Sequence, residues 1–419
     1  MQFMGGLSAA LHAAGVHALY GTPVAGLDVV PVAEPRIAKL MAAAHERVTG
    51  GRGGAVDGAT ITVPGRRDAV INVALSNVDD LRALPGHLVD PTTGARLRVD
   101  LDPAEPLDVA LPVVDRWRPP TDDVIEHLQG ASAPLVLVGP GVVLDGAIAG
   151  LQALAAGADL GVLNTWGAKG LFDWRSRHHL ATAGLQERDA ALGGVGDADV
   201  LVVSGLDPRE SAPELWLQGT VVEVEPWSLA PLAEVWSRPR RGVAMPPLRD
   251  RLGAATQSGW AVTGAPLAPS QVTRNYGEVI TAGGTVAADP GLAGYWVART
   301  LGTTRPLAVH VPAAGDADGF AIACAVVARL HRPWAPALAV VERVDEAGLG
   351  VAAALGCAIG VEVWSAEGAV LDADGHRDRL GALVARGGVA HLAPGADQLA
   401  AMLDAAGPVT AWGGLAPRR

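Results

Sequence analysis

Residues 315–332 read Gly315-Asp316-Ala317-Asp318-Gly319-Phe320-Ala321-Ile322-Ala323-Cys324-Ala325-Val326-Val327-Ala328-Arg329-Leu330-His331-Arg332. The glycines and aspartates at the start make a turn, because glycine tolerates unusual backbone angles and aspartate bonds its own backbone. The run that follows is a helix of small apolar residues with almost no polar face, and such a helix is buried. Pro333 and Pro336 end it. Ala337 to Val341 is then a short, wholly apolar strand, as expected of a parallel strand covered on both faces. The strand runs into Glu342-Arg343-Val344-Asp345, which reads as a salt-bridged turn.

The same alternation extends in both directions. Leu7 to Ala14 reads as an amphipathic helix, Ala18 to Gly21 as a strand and turn, and Leu27 to Ala33 as a strand. Pro35 opens a helix at the position where its missing N–H costs nothing, and that helix, Arg36 to Val48, ends at Gly50. Ala59 to Val63 is another strand. In the middle of the chain, strands at Leu135 to Val138, Leu160 to Leu163, Val200 to Ser204 and Val221 to Glu225 enclose a Gly139-Pro140-Gly141 turn and a helix at Ala147 to Ala156. Proline-marked linkers run from Asp115 to Pro120 and from Ser237 to Pro269. Beyond them come a helix at Gln271 to Thr281 and a strand at Thr285 to Ala288. This βαβ rhythm predicts an α/β protein of three doubly wound parallel-sheet domains, at residues 1–112, 131–236 and 270–419.

Composition bounds the function. The chain has 419 residues, 49% hydrophobic and only 18% charged, so it has ample material for several cores. A net charge of −12 argues against nucleic acid or an anionic membrane surface as a partner. Lys39 and Lys169 are the only lysines among 32 basic residues. Two cysteines, Cys324 and Cys357, form neither a disulfide framework nor a metal motif. Cys324 lies in the small-residue helix, where a buried inert thiol is expected. No apolar run reaches the roughly 18 residues of a membrane span, and the first twenty residues lack the pattern of a signal peptide. A cytoplasmic setting is the expectation.

The turn, helix, Arg-Pro and strand order of residues 315–341 resembles the cofactor-binding domain of thiamine-diphosphate enzymes, the acetolactate synthase-like group. Other segments follow in family order. Met41 to Gly50, Met-Ala-Ala-Ala-His-Glu-Arg-Val-Thr-Gly, resembles the family's Met-Ala-x-Gly-Tyr-Ala-Arg-x-Thr-Gly helix end. Asn164 to Gly170 resembles its Thr-x-x-Gly-Lys-Gly turn, with Ala183-Gly184-Leu185 resembling the segment after it. Ala288-Asp289-Pro290-Gly291 resembles its Asp-x-Gly turn. The resemblance implies pyrimidine-binding, central and diphosphate-binding domains in that order. It also implies thiamine diphosphate and magnesium as cofactors, and a homodimer or higher oligomer whose sites lie between chains.

The chain departs from the family where the metal would sit. The family strand runs into Gly-Asp-Gly and a later Asn pair; here Glu342 to Asp345 and Ser365-Ala366-Glu367 take those places. No residue is therefore assigned to a metal. The resemblance implies a catalytic role for Glu34, the counterpart of the glutamate that exchanges a proton with the aminopyrimidine ring. An exposed carboxylate at a helix N-terminus is the bland alternative. It likewise implies cofactor contacts at Asp289, Gly291, Gly315 and Gly319. Gly139-Pro140-Gly141 lacks the third glycine and the ribose-binding acid of a dinucleotide site, so flavin or adenine nucleotide is not expected in the central domain. His178 and His179 are read as a surface loop, Asp372 to Gly375 as a turn, and the tryptophans near the linkers as seals between domains.

Three readings of the function remain open on the sequence. One is a pseudoenzyme that keeps the fold without the metal-diphosphate site, serving as a partner of an intact paralogous subunit or in a new role. The other is an active lyase or carboligase on 2-oxo acids with unusual metal ligands. A third is an unrelated doubly wound nucleotide-binding protein.

Overall fold

The computed structural model describes residues 5–66, 69–103, 111, 119–210, 216, 219–237, 243–280, 283–313 and 317–415. The fold is α/β, built on three sheets. The first has six strands in the order β2-β1-β3-β4-β6-β5. These are β1 (Val16–Gly21), β2 (Val29–Pro31), β3 (Arg52–Asp57), β4 (Thr60–Val63), β5 (Val70–Leu75) and β6 (Gly94–Val99). The expected Ala59 to Val63 strand is present, but it runs antiparallel to both β3 and β6. Only Gly58 and Ala59 separate β3 from β4, too few for a crossover. Gly58, at φ +57°, takes the left-handed conformation of the hairpin. The other pairings are parallel.

The second sheet has the order β11-β10-β7-β8-β9, with β7 (Pro134–Val138), β8 (Val162–Thr165), β9 (His179–Ala183), β10 (Val200–Ser204) and β11 (Thr220–Glu223). The third has the order β13-β12-β14-β15-β16, with β12 (Thr285–Ala288), β13 (Val309–His310), β14 (Ala337–Val341), β15 (Gly360–Ala369) and β16 (Gly388–Leu392). All strands of these two sheets are parallel. Their central strands are buried at every residue but Pro134, as the apolar runs require.

The third sheet packs against both others. One of its faces shares a core with the second sheet, joining Leu163, Trp166 and Val203 to Val286, Trp296 and Val340. On the other face lies the Phe320–His331 helix, which packs on the Pro35–Thr49 helix of the first sheet. Ala38 and Ala42 share this core with Ala321, Cys324, Ala325 and Ala328. Small residues on both helices let the backbones approach, which is why the quoted sequence carries so little bulk. Cys324 is fully buried there, and burial pushes its thiol well above the usual range.

The structure corrects several local expectations. The 237–269 linker contains a 14-residue helix, Pro247–Trp260, which buries Leu248, Leu252, Ala255, Thr256 and Gly259. Those residues recur at helical spacing, a signal hidden by the prolines around them. Asp372 to Gly375 opens a helix, Ala373–Arg386, with Asp372 accepting the Gly375 N–H at 2.8 Å. His179 begins β9 instead of lying in a surface loop, and burial lowers its pKa to about 4. Trp166 does seal an interface: its Nε1 donates to the Pro312 carbonyl at 3.1 Å, and its ring meets Trp412 edge-on.

Candidate functional site

In the third sheet the strand order reverses between β12 and β14. Connections leaving these two strands go to opposite faces and open a crevice at their C-terminal ends, where doubly wound folds bind ligands. A cavity of about 530 Å³ lies there, lined by Asp289 and Gly291 after β12, Asp318 and Gly319, Glu342 to Asp345 after β14, and Arg36 of the first sheet.

Three helix N-termini face this crevice, and each is capped by a carboxylate of the protein. Asp289 accepts the Gly319 N–H at 3.0 Å and the Ala321 N–H at 2.7 Å, at the start of the Phe320–His331 helix. Glu342 accepts the Ala293 N–H at 3.1 Å, at the start of the Leu292–Thr300 helix. Asp345 accepts the Gly348 N–H at 3.4 Å, capping the Glu346–Ala354 helix. Free helix N-termini attract anions through their unpaired N–H groups and dipole. Here internal carboxylates already occupy that role. Burial is the main cause that pushes the Asp289 carboxyl up to about 7; the two amide bonds oppose it, while Asp318 and Asp345 add to it.

The glycines are where the carboxylates press closest. A Cβ on Gly291, at φ +124°, would lie 2.5 Å from Glu342 Oε1. A Cβ on Gly319, at φ +87°, would collide with Asp345 Oδ2. Gly291→Ala is therefore expected to cost about 1–3 kcal/mol, from backbone strain and displaced Glu342 together. Urea unfolding would measure it, and adding Glu342→Ala should recover only the displacement share.

Both guanidinium groups of the crevice are engaged. Arg36 pairs with Asp345 at 2.6 Å and donates to the Asp318 carbonyl at 3.0 Å. Arg343 pairs with Asp318 at 2.9 Å. Arg36 thus ties the first sheet to the crevice of the third within one chain. Sequence reasoning missed it, although a cation in the first turn of a helix is unfavourable without a partner, and that was the available signal.

The residues singled out in the sequence separate as follows. Asp289, Gly291 and Gly319 converge on the crevice. Gly315 and Asp316 lie outside the described residues. Glu34 is the N-cap of the Pro35–Thr49 helix, exposed, with its side chain 3.4 Å from the Arg36 N–H, and it does not line the cavity. Among the described residues no group of three His, Cys, Asp or Glu side chains has the arrangement of a metal site.

The second sheet also reverses its order, between β7 and β10, but its crevice is filled. A Cβ on Gly139 would lie 2.4 Å from the Gly205 carbonyl oxygen, and one on Gly141 would lie 2.4 Å from Arg66. Arg66, buried, reaches in from the first sheet and pairs at 2.9 Å with Asp145, whose side chain is 3% exposed. Close by, Arg47 donates to the Gly167 carbonyl at 2.9 Å and faces Glu210 at 3.8 Å. Burial pushes the Glu210 carboxyl up to about 7.

Residues 121–227 match the thiamine pyrophosphate enzyme, central domain. The match covers β7 to β11 and the Asp122–Gly130 helix, whose Leu128 is buried in the same core. It supports, on an independent footing, the thiamine-diphosphate superfamily that the order of motifs suggests. No curated protein matches the chain. The third crevice is the place where thiamine diphosphate would be tested against this chain. Five carboxylates, Asp289, Asp318, Glu342, Asp345 and Glu346, line it against two guanidinium groups already paired. Among the described residues of the whole structure, no helix is long and apolar enough to cross a membrane.

Proposed function

We propose that this chain is a thiamine-diphosphate-enzyme-like scaffold that has given up its metal-diphosphate site and serves as a non-catalytic partner subunit. On this reading its three units are pyrimidine-like (1–112), central (131–236, with the preceding helix) and diphosphate-like (270–419). The observation that carries the proposal is the crevice at β12 and β14, whose helix N-termini are capped by Asp289, Glu342 and Asp345. A diphosphate brought there meets five carboxylate side chains, and the two guanidinium groups that would offset them are already paired with Asp345 and Asp318. An oligomer, with itself or with an intact relative, follows from the same proposal.

Calorimetric titration of the purified protein with thiamine diphosphate and magnesium tests it. No saturable heat at high micromolar cofactor is expected. Saturable binding that weakens in Glu34→Gln would overturn the proposal in favour of an active lyase or carboligase on 2-oxo acids.

A further inference from the structure

A second cavity, of about 490 Å³, lies away from the crevice, between β9, the Pro247–Trp260 helix and the end of the Leu292–Thr300 helix. Its volume is in the range of small-molecule pockets, roughly 300–1,000 Å³. Trp174 and Trp260 form one aromatic wall, their rings meeting edge-on at 6.1 Å. Both rings are held in place. The Trp174 ring packs on Gly302, and its backbone N–H donates to the Thr303 carbonyl at 2.8 Å. Trp260 Nε1 donates to the Ser270 carbonyl at 3.1 Å, with the Arg274 guanidinium 5.5 Å above the ring. Leu252 and Leu301 add apolar surface.

Lys169 lines the same cavity and is 8% exposed. Among the described residues no hydrogen bond or ion pair reaches its amine. The other charges of the lining are committed or at the side. Arg299 is paired with Asp189 and bonded to the Thr182 carbonyl. Arg249 donates to the His179 carbonyl. Asp250, on the Pro247–Trp260 helix, is the one carboxylate among the lining residues, and no charge pair joins it to Lys169. A buried amine without a counter-charge is costly to a fold unless something else supplies the charge. The cost is met when a ligand brings an anion, and the rigid aromatic wall defines the rest of that ligand.

We propose that this cavity is a binding site for a small carboxylate with an aromatic body, the carboxylate pairing with Lys169 and the ring lying against Trp174 and Trp260. The site is independent of the crevice at β12 and β14, so it stands whether or not thiamine diphosphate binds there. Trp260 is held by its bond to the Ser270 carbonyl and Trp174 is backed by Gly302, which lowers the ordering cost of binding.

Naphthalene-2-carboxylate and its neutral amide, naphthalene-2-carboxamide, are the probes, titrated calorimetrically into the full chain. The carboxylate is expected to bind once per chain, at least about tenfold tighter than the amide, the usual worth of a charge-assisted bond. Lys169→Met, which keeps the volume and is expected to fold, should abolish that preference, and Lys169→Arg should retain it. Trp260→Ala should weaken both probes alike. Equal affinity for carboxylate and amide, an unchanged preference in Lys169→Met, or no saturable heat at millimolar probe would each overturn the proposal.

Discussion

Replacing Lys169 with methionine is expected to stabilise the protein at pH 6, by roughly 3–5 kcal/mol, and to have little effect near pH 10.5. Burial, with the neighbouring Arg299 acting in the same direction, lowers the Lys169 amine from 10.5 to about 7. The sign follows from which state holds the proton. Below about pH 7 the amine is charged in both folded and unfolded chains, so the folded state bears the full cost of a buried, unpaired charge. Between about pH 7 and 10.5 only the unfolded chain holds the proton, and stability rises with pH. Methionine has similar length, no charge and an adaptable shape, so it removes the penalty without leaving a cavity. Urea unfolding of both proteins at pH 6, 8 and 10 checks this. Parallel stability curves would show that the Lys169 amine titrates as an exposed lysine does. The carboxylate probe should narrow the gap between the two proteins at pH 6, because it supplies the missing counter-charge.

Arg299→Met is expected to have the opposite effect, a loss of about 3–5 kcal/mol. Arg299 and Asp189 are both essentially inaccessible to solvent, and two guanidinium bonds of 2.9 and 2.7 Å join them. Asp189 also accepts the Leu185 and Gln186 N–H groups, at 2.8 and 3.0 Å. Removing the arginine strands a carboxylate that cannot move to water, and it leaves the Thr182 carbonyl without its donor. The pair also joins the loop after β9 to the helix after β12, so the loss falls on the contact between second and third sheets. The double variant Arg299→Met with Asp189→Leu should recover much of the loss, because the cost lies in the unpaired charge more than in the pair. Thermal unfolding of the single and double variants decides this. Additive losses would show that the two side chains act separately.

Much of the fold was legible in the sequence because its signals are local. The apolar runs of β7, β10, β12 and β14 and the alanine helix at 320–331 stand where the periodicity placed them. The Pro247–Trp260 helix escaped because its apolar spacing is sparse and its neighbours are prolines. The antiparallel β4 escaped because direction is set by pairing, and a four-residue strand carries no mark of direction in its own sequence. At the crevice, Asp289, Gly291 and Gly319 were legible as turn residues after strands. Arg36 was not: its partners Asp318 and Asp345 lie about 280 and 310 residues away, and side-chain pairs at such separation leave no periodic trace.

What the sequence determined by itself is therefore the succession of buried strands and covering helices, since burial and backbone preference act over a few residues. It also determined the net charge of −12 and the two lone cysteines, on which the expectations of no nucleic-acid partner and no disulfide framework rest. Tertiary structure alone decided which carboxylate caps which helix, which arginine fills which crevice, and that Lys169 faces a cavity without a counter-charge. Those outcomes depend on charges meeting across separate sheets, where Coulomb energy and desolvation are set by distance in space and not by distance along the chain.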